Sequence, residues 1–98
     1  MAEINELIHQ TVRLKILAVL AGLKADAEVD FMFLRDQLAV TNGNLGAHLE
    51  KLESAGYIKV RKTFVGRKPR TFVSMTTAGR RAFEDHVEAL KGIMGLGG

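Results

Sequence analysis

Residues 41–73 read TNGNLGAHLEKLESAGYIKVRKTFVGRKPRTFV, and within this stretch the spacing of apolar residues changes. Leu45, Leu49 and Leu52 recur at i, i+4 and i+7, the narrow stripe of a helix with one buried face. Thr41 stands before the stripe as a capping residue, and Gly56 follows it as a stop. The period then drops from near 3.6 to 2. Ile58, Val60 and Phe64 fall on one side of a strand, with Lys59, Arg61 and Thr63 on the other. Thr71, Val73 and Met75 repeat the alternation on a return strand. Between them, Val65-Gly66-Arg67-Lys68-Pro69 reads as a turn, with glycine for an unusual φ and proline to stop the ladder. The stretch predicts a helix followed by a hairpin with a basic tip.

Upstream, Ile4, Leu7 and Ile8 have helical spacing. Val12, Ile16, Val19, Leu20 and Leu23 form the stripe of a second helix, with Thr11 as N-cap and Gly22 near its end. Lys24 to Asp30 is polar and reads as a loop, and Val29 alternates with Phe31 as a short strand. Phe31, Leu34 and Leu38 suit a further short helix, broken at Val40-Thr41-Asn42. Downstream, Phe83, Val87, Leu90 and Met94 mark a last helix, with Ala82, Ala89 and Ile93 beside them, and the GLGG tail is expected to be loose.

Opposite its leucines, the helix after Thr41 presents Gly43, Ala47 and Glu50, flanked by Asn44, Gly46 and Lys51. Each glycine costs about 1 kcal/mol against alanine in a helix interior. Such a face suits close approach of another molecule. The alternative is that Gly43 occupies a loose first turn.

The chain has 98 residues, 47% hydrophobic and 26% charged, which predicts one folded domain over 1–98 rather than disorder. It contains no cysteine, which excludes disulfides, thiol nucleophiles and cysteine metal sites and suits a reducing cytoplasm. The longest apolar run, Ile16 to Leu23, is too short to span a bilayer, so no membrane role and a cytoplasmic location are expected.

Net charge is +3, but it is polarised. Ser54 to Phe83 holds eight basic residues and no acid, and the other six basic residues share the rest of the chain with all eleven acids. That distribution points to a polyanion facing one surface, against the plainer reading of a solvated basic patch.

The order helix, helix, short strand, helix, turn, helix, hairpin, helix is the winged helix-turn-helix plan, α+β and mostly helical. QTVRLKILAVL, LRDQLAVTNGNLGAHLEKLESAGYIKV and GRKPRTFVSMTTAGRRAFEDHVEAL resemble the small winged-helix transcriptional regulators related to the MarR and ArsR families, over roughly residues 8 to 91. The most specific parts are L-x-x-H-L-E-K-L-E-x-A-G-Y and T-x-A-G-R. The resemblance implies a homodimeric regulator of double-stranded DNA, with a recognition helix over about 42–55 in the major groove. It puts a two-stranded wing over about 57–76, which touches the backbone or minor groove, and a C-terminal helix over about 77–94. Gly46 stands where many relatives carry serine and supplies no hydroxyl. The resemblance also leaves room for a small-molecule effector between subunits, whose identity the sequence does not give.

The expected DNA contacts are Thr41, Asn42, Asn44, Ala47, His48 and Lys51 on the helix, with His48 weighed against a hydrogen-bonded structural role, and Arg61, Lys62, Arg67, Lys68 and Arg70 on the wing. Asn44 can pair bidentately with adenine. Lys51 suits a phosphate, and the helix start at Thr41 and Asn42 favours one too. Arg67 is placed to enter a narrow minor groove. Ile4, Leu7, Ile8, Val87, Leu90, Ile93 and Met94 are expected to cover a partner subunit, the alternative being that these helices complete the monomer core, and a two-fold pair implies a palindromic operator.

His9, His48 and His86 raise a metal hypothesis, since some ArsR-type sensors use an acid-x-His pair on the last helix. Glu84 and His86 have that spacing, but only Glu88 and a glycine-rich end follow, so neither metal nor cofactor is expected. Asp85 and Glu88 lack a nucleophile or phosphate loop and read as a solvated acidic face rather than an enzyme site. Two alternatives remain: a non-specific DNA- or RNA-binding module, with Phe64 and Phe72 as stacking aromatics, and a protein-interaction winged helix.

Overall fold

The computed structural model describes residues 4–95, so part of the GLGG tail (96–98) lies outside the described residues. Its elements are α1 (Glu6–His9), α2 (Thr11–Ala21), β1 (Val29–Asp30), α3 (Phe31–Leu38), α4 (Asn42–Ser54), β2 (Ile58–Val65), β3 (Lys68–Met75) and α5 (Thr77–Met94). The helical residues pack around a small antiparallel sheet of order β1-β3-β2. This is the winged helix-turn-helix arrangement.

Ile8, Ile16, Leu17, Leu20, Leu34, Leu45, Leu49, Leu52, Ile58 and Val73 form the core. All three leucines of the α4 stripe are in it. In α2 the buried residues are Ile16, Leu17 and Leu20, so the core-facing stripe is wider than the spacing from Val12 indicates. Thr11 is not the cap of that helix. The side chain of Gln10 accepts from the Arg13 N–H instead, and Thr11 becomes the first helical residue. α1 is a single turn capped by Asn5, so Ile4 precedes it.

The turn between α3 and α4 follows from two local devices. Ala39 adopts left-handed geometry at φ 54°, and the Val40 N–H returns to the Arg35 carbonyl at 3.2 Å, closing the end of α3. Thr41 then caps α4 by accepting the Asn44 N–H at 3.0 Å, as expected from sequence.

The hairpin ladder runs from Ile58↔Met75 to Val65↔Lys68. The turn is therefore Gly66-Arg67 alone, shorter than the five residues expected. Gly66 takes φ 65° and no positive φ occurs at Arg67, the pattern of a type II′ hairpin turn. Pro69 does not end the ladder. It pairs with Phe64 next to the hydrogen-bonded pair that flanks the turn, so its missing N–H faces away from β2. β1 reaches only Phe72 and Val73, leaving the outer hairpin as a two-stranded arm.

α5 is fixed at its start by the T-x-A-G-R residues. Thr76 caps the helix through Gly79 N–H, its hydroxyl donates to the Gly56 carbonyl, and its own N–H donates to Tyr57 O. A Cβ on Gly79 would collide with the Tyr57 backbone. Arg80 donates to the Ala21 carbonyl at the end of α2. The buried face of α5 is Gly79, His86 and Ala89, with Ala82 and Phe83 against the core. His86, considered above only as a ligand, is fully buried.

Candidate nucleic-acid interface

α4 exposes Thr41, Asn42, Gly43, Asn44, Ala47 and Lys51 on the surface opposite its leucines. At Gly43 and Gly46 the position of an added Cβ has no neighbour within 4 Å. The chain's own packing thus has no need of glycine at either site. Gly43 is the second residue of α4 and lies in its first turn, whereas Gly46 lies in the interior and keeps its helical cost.

Two arginines that sequence spacing did not single out brace this surface. Arg35 on α3 donates to Asn42 Oδ1 at 3.0 Å while holding Asp36 through Nε and a terminal nitrogen. Arg13 on α2 donates to the Leu7 carbonyl of α1 and contacts His48 Nδ1 at 3.1 Å. An arginine has only donors, so His48 Nδ1 is the acceptor and its proton resides on Nε2. Burial, then the Arg13 and Lys51 charges, push the His48 pKa below its ordinary value. His48 is therefore a neutral donor at the surface of α4. No local pattern announces either arginine; each lies off its helix's apolar stripe, and only packing gives it a partner.

Along the wing the side chains separate onto two faces. Val60, Lys62, Phe64, Pro69 and Thr71 share the face of Ile58 and Val73, turned toward the helices. A groove of about 500 Å³ lies there, lined by Gly46, Leu49, Glu50, Glu53, Lys62 and Thr71 among others. Arg61 and Arg70 occupy the opposite face with Phe72. Arg61 forms a bidentate pair with Glu28 at 2.8 and 2.9 Å, and Arg70 pairs with Asp30, its Nε at 2.6 Å from Oδ2. Their guanidinium carbons lie 4.8 and 5.7 Å from the Phe72 ring centroid.

The hydrogen bond from Arg61 lowers the Glu28 pKa, and the same bond raises that of Arg61. At Asp30 desolvation acts upward, but the bonds from Arg70 and the Met32 N–H outweigh it and hold the carboxyl below its ordinary value. The wing cations thus divide. Arg61 and Arg70 are compensated at the root, whereas no carboxylate among the described residues pairs with Lys62, Arg67 or Lys68.

Of the residues expected at a subunit interface, Ile93 and Met94 are well exposed, and Ile4, Leu7, Val87 and Leu90 are half-buried. Ile8 does not belong with them. It is completely buried in the chain's own core and has no area left for a partner.

No helix among the described residues is long and apolar enough to cross a membrane. Among the same residues, no cluster of three or more histidine or carboxylate side chains could hold a metal ion.

This geometry is that of a winged-helix DNA-binding protein, and the family comparison agrees. The model of the winged helix DNA-binding domain matches residues 12–94, and the chain belongs to that family. An uncharacterized protein of Methanocaldococcus jannaschii, MJ0432, is 35% identical over 82 residues, spanning 84% of this chain and 86% of the relative. The transcriptional regulator homologue protein from Pyrococcus horikoshii OT3 superposes with a TM-score of 0.83 at 28% identity, over 93% of this chain and 87% of that one. The YusO protein from Bacillus subtilis gives 0.73 at 18% identity, over 92% and 61% respectively, a likeness of fold alone. These findings agree with the sequence resemblance to small winged-helix regulators.

Proposed function

We propose that the chain is a homodimeric, sequence-specific transcriptional regulator acting on duplex DNA in the cytoplasm, with no catalytic role. The observation that carries this reading is the pairing of two surfaces. A small, polar α4 face lies beside a wing whose Lys62, Arg67 and Lys68 have no acidic partner among the described residues. Phosphates compensate such cations and supply affinity, while groups on α4 read base edges.

In this reading Asn44 contacts a base. Thr41, Asn42, His48 and Lys51 meet phosphates, and Ala47 packs against the groove wall. Lys62 and Lys68 follow the backbone on the wing side, and Arg67 in the turn enters the minor groove. Arg61 and Arg70, tied to Glu28 and Asp30, hold the wing at its angle rather than supply net charge. A second copy packs along Ile4, Leu7, Val87, Leu90, Ile93 and Met94, which sets two α4 helices on one palindromic site. An effector bound between subunits would act by changing the separation of those helices.

The test is selection from a pool of random duplexes at two salt concentrations, with sequencing of the bound fraction. Enrichment of a palindrome whose affinity falls steeply with salt supports the proposal. Salt-sensitive binding without an enriched site would replace it by a non-specific nucleic-acid role. No binding at low salt would reject it and leave the wing to a protein partner.

A further inference from the structure

The wing carries an aromatic ring that the fold itself does not use. Phe64 is 69% exposed. It stands on β2 opposite Pro69, one pair from the turn, on the face turned toward α4. No third strand supports this part of the hairpin, and Phe64 is absent from the residues packed on the core. Phe72 differs, since the guanidinium groups of Arg61 and Arg70 already lie against its ring. A phenylalanine left in water on a narrow arm forgoes the stabilisation that burial would give it.

The surroundings of the ring identify its occupant. Lys62 shares its face, Arg67 lies in the adjoining turn and Lys68 follows, all three without an acidic partner among the described residues. Glu28 and Asp30, the acids that pair with the wing, do so at its root and on the opposite face. Glu50 and Glu53 of α4 line the groove that Lys62 borders but form no ion pair with it, and Arg67 and Lys68 flank the ring at the tip. An apolar ring beside such cations matches a polyanion with a stackable interior, which is duplex DNA. A second copy of this chain at the same place would set like charges together.

We propose that Phe64 is an apolar wedge that enters the minor groove beside the α4 site and partly unstacks one base step, kinking the DNA at the wing. Deformable steps, TA and CA/TG, are then favoured there without any hydrogen bond to a base. The inference rests on the DNA-binding reading above and adds to it a residue that selects sequence through deformation.

The probe is the duplex that the wild-type chain most enriches from a random pool. It is end-labelled for energy transfer and carries 2-aminopurine at successive flanking positions. Wild-type protein should shorten the end-to-end distance and raise 2-aminopurine emission at one flanking step on each side. Phe64→Ala, at an exposed position, should abolish both signals and bind about tenfold more weakly with an unchanged salt slope. Phe64→Tyr, which keeps the ring, should retain them. Binding by the wild type with no bend or unstacking, or signals that survive in Phe64→Ala, would overturn the wedge and leave the DNA-binding reading intact. If the wild type binds no duplex at low salt, both readings fail together.

Discussion

The Nδ1 atom of His86 accepts the backbone N–H of Asn5 at 3.2 Å, joining residues 81 positions apart. Through this bond α5 holds the entry to α1. Asn5 in turn donates to the Tyr57 hydroxyl at 3.0 Å, and its Oδ1 caps Ile8. With Nδ1 accepting, the His86 proton lies on Nε2, which faces His9 Nδ1 at 3.5 Å.

Acid should loosen this junction. Burial, then the neighbouring His9, lowers the His86 pKa, with Glu6 opposing. In the unfolded chain the group returns to about 6.5. Between the two values the unfolded state binds more protons, so stability falls as pH falls through that window and is fully present above it. The urea midpoint should decline on acidification below about 6.5, and His86→Gln should weaken that dependence. His48, also lowered, contributes in the same direction, and Glu28 and Asp30 add to the loss at lower pH. A midpoint that is constant through the window would show that neither histidine is held neutral by the fold.

Gly79 should be intolerant of any side chain. A methyl group there meets the Tyr57 backbone, which the Thr76 N–H also binds, so neither segment can yield alone. Gly79→Ala should cost about 1–3 kcal/mol, the usual range for overpacking. Thermal or urea unfolding gives the answer directly.

Gly43→Ala and Gly46→Ala should have effects of opposite sign on folding and binding. Open space at both Cβ positions means that each variant gains helix propensity, about 1 kcal/mol at most. Each methyl group also projects from the face proposed to meet DNA, and affinity should fall. A variant that is both more stable and equally tight would place the DNA away from that residue.

The wing cations should separate by salt dependence. Lys68→Ala should weaken binding uniformly across sequences and reduce the salt slope by about 1, as for one lost phosphate contact. Arg61→Ala leaves Glu28 exposed at the root and should change the wing's order more than the slope. Equal slopes for the two variants would show that DNA displaces Glu28 and recruits Arg61.

Ile93→Glu combined with Met94→Glu should produce a folded monomer. Both side chains are mostly exposed, so the substitutions spare the core. Sedimentation should show the change in mass and circular dichroism an unchanged fold, with affinity for a palindrome falling to that of a half-site. A double variant that keeps the wild-type mass would reject the proposed packing of a second copy along this face.

The sequence by itself determined the succession of elements, including the exposed face of α4 and the basic wing. Leu45, Leu49 and Leu52 specify α4, alternation from Ile58 to Met75 specifies the wing, and Thr41 specifies the start of α4, while the end of α3 depends on left-handed Ala39. These are short-range signals, because periodicity and capping act within a few residues of one another. Even there, the turn needed geometry: Pro69 stays in the ladder because its missing N–H falls on the outward side of an edge.

Tertiary structure alone decided what each charge and each buried polar group does. Eight basic residues between Ser54 and Phe83 look equivalent in sequence, yet Glu28 and Asp30 compensate Arg61 and Arg70, and Arg80 turns inward to cap α2. Ile8 and His86 likewise went to the core, and Arg13 and Arg35 to the α4 surface. A charge or an imidazole takes its role from the groups around it, and those lie far away along the chain. Their distance is set only when α1, α2 and β1 close onto α4, β3 and α5.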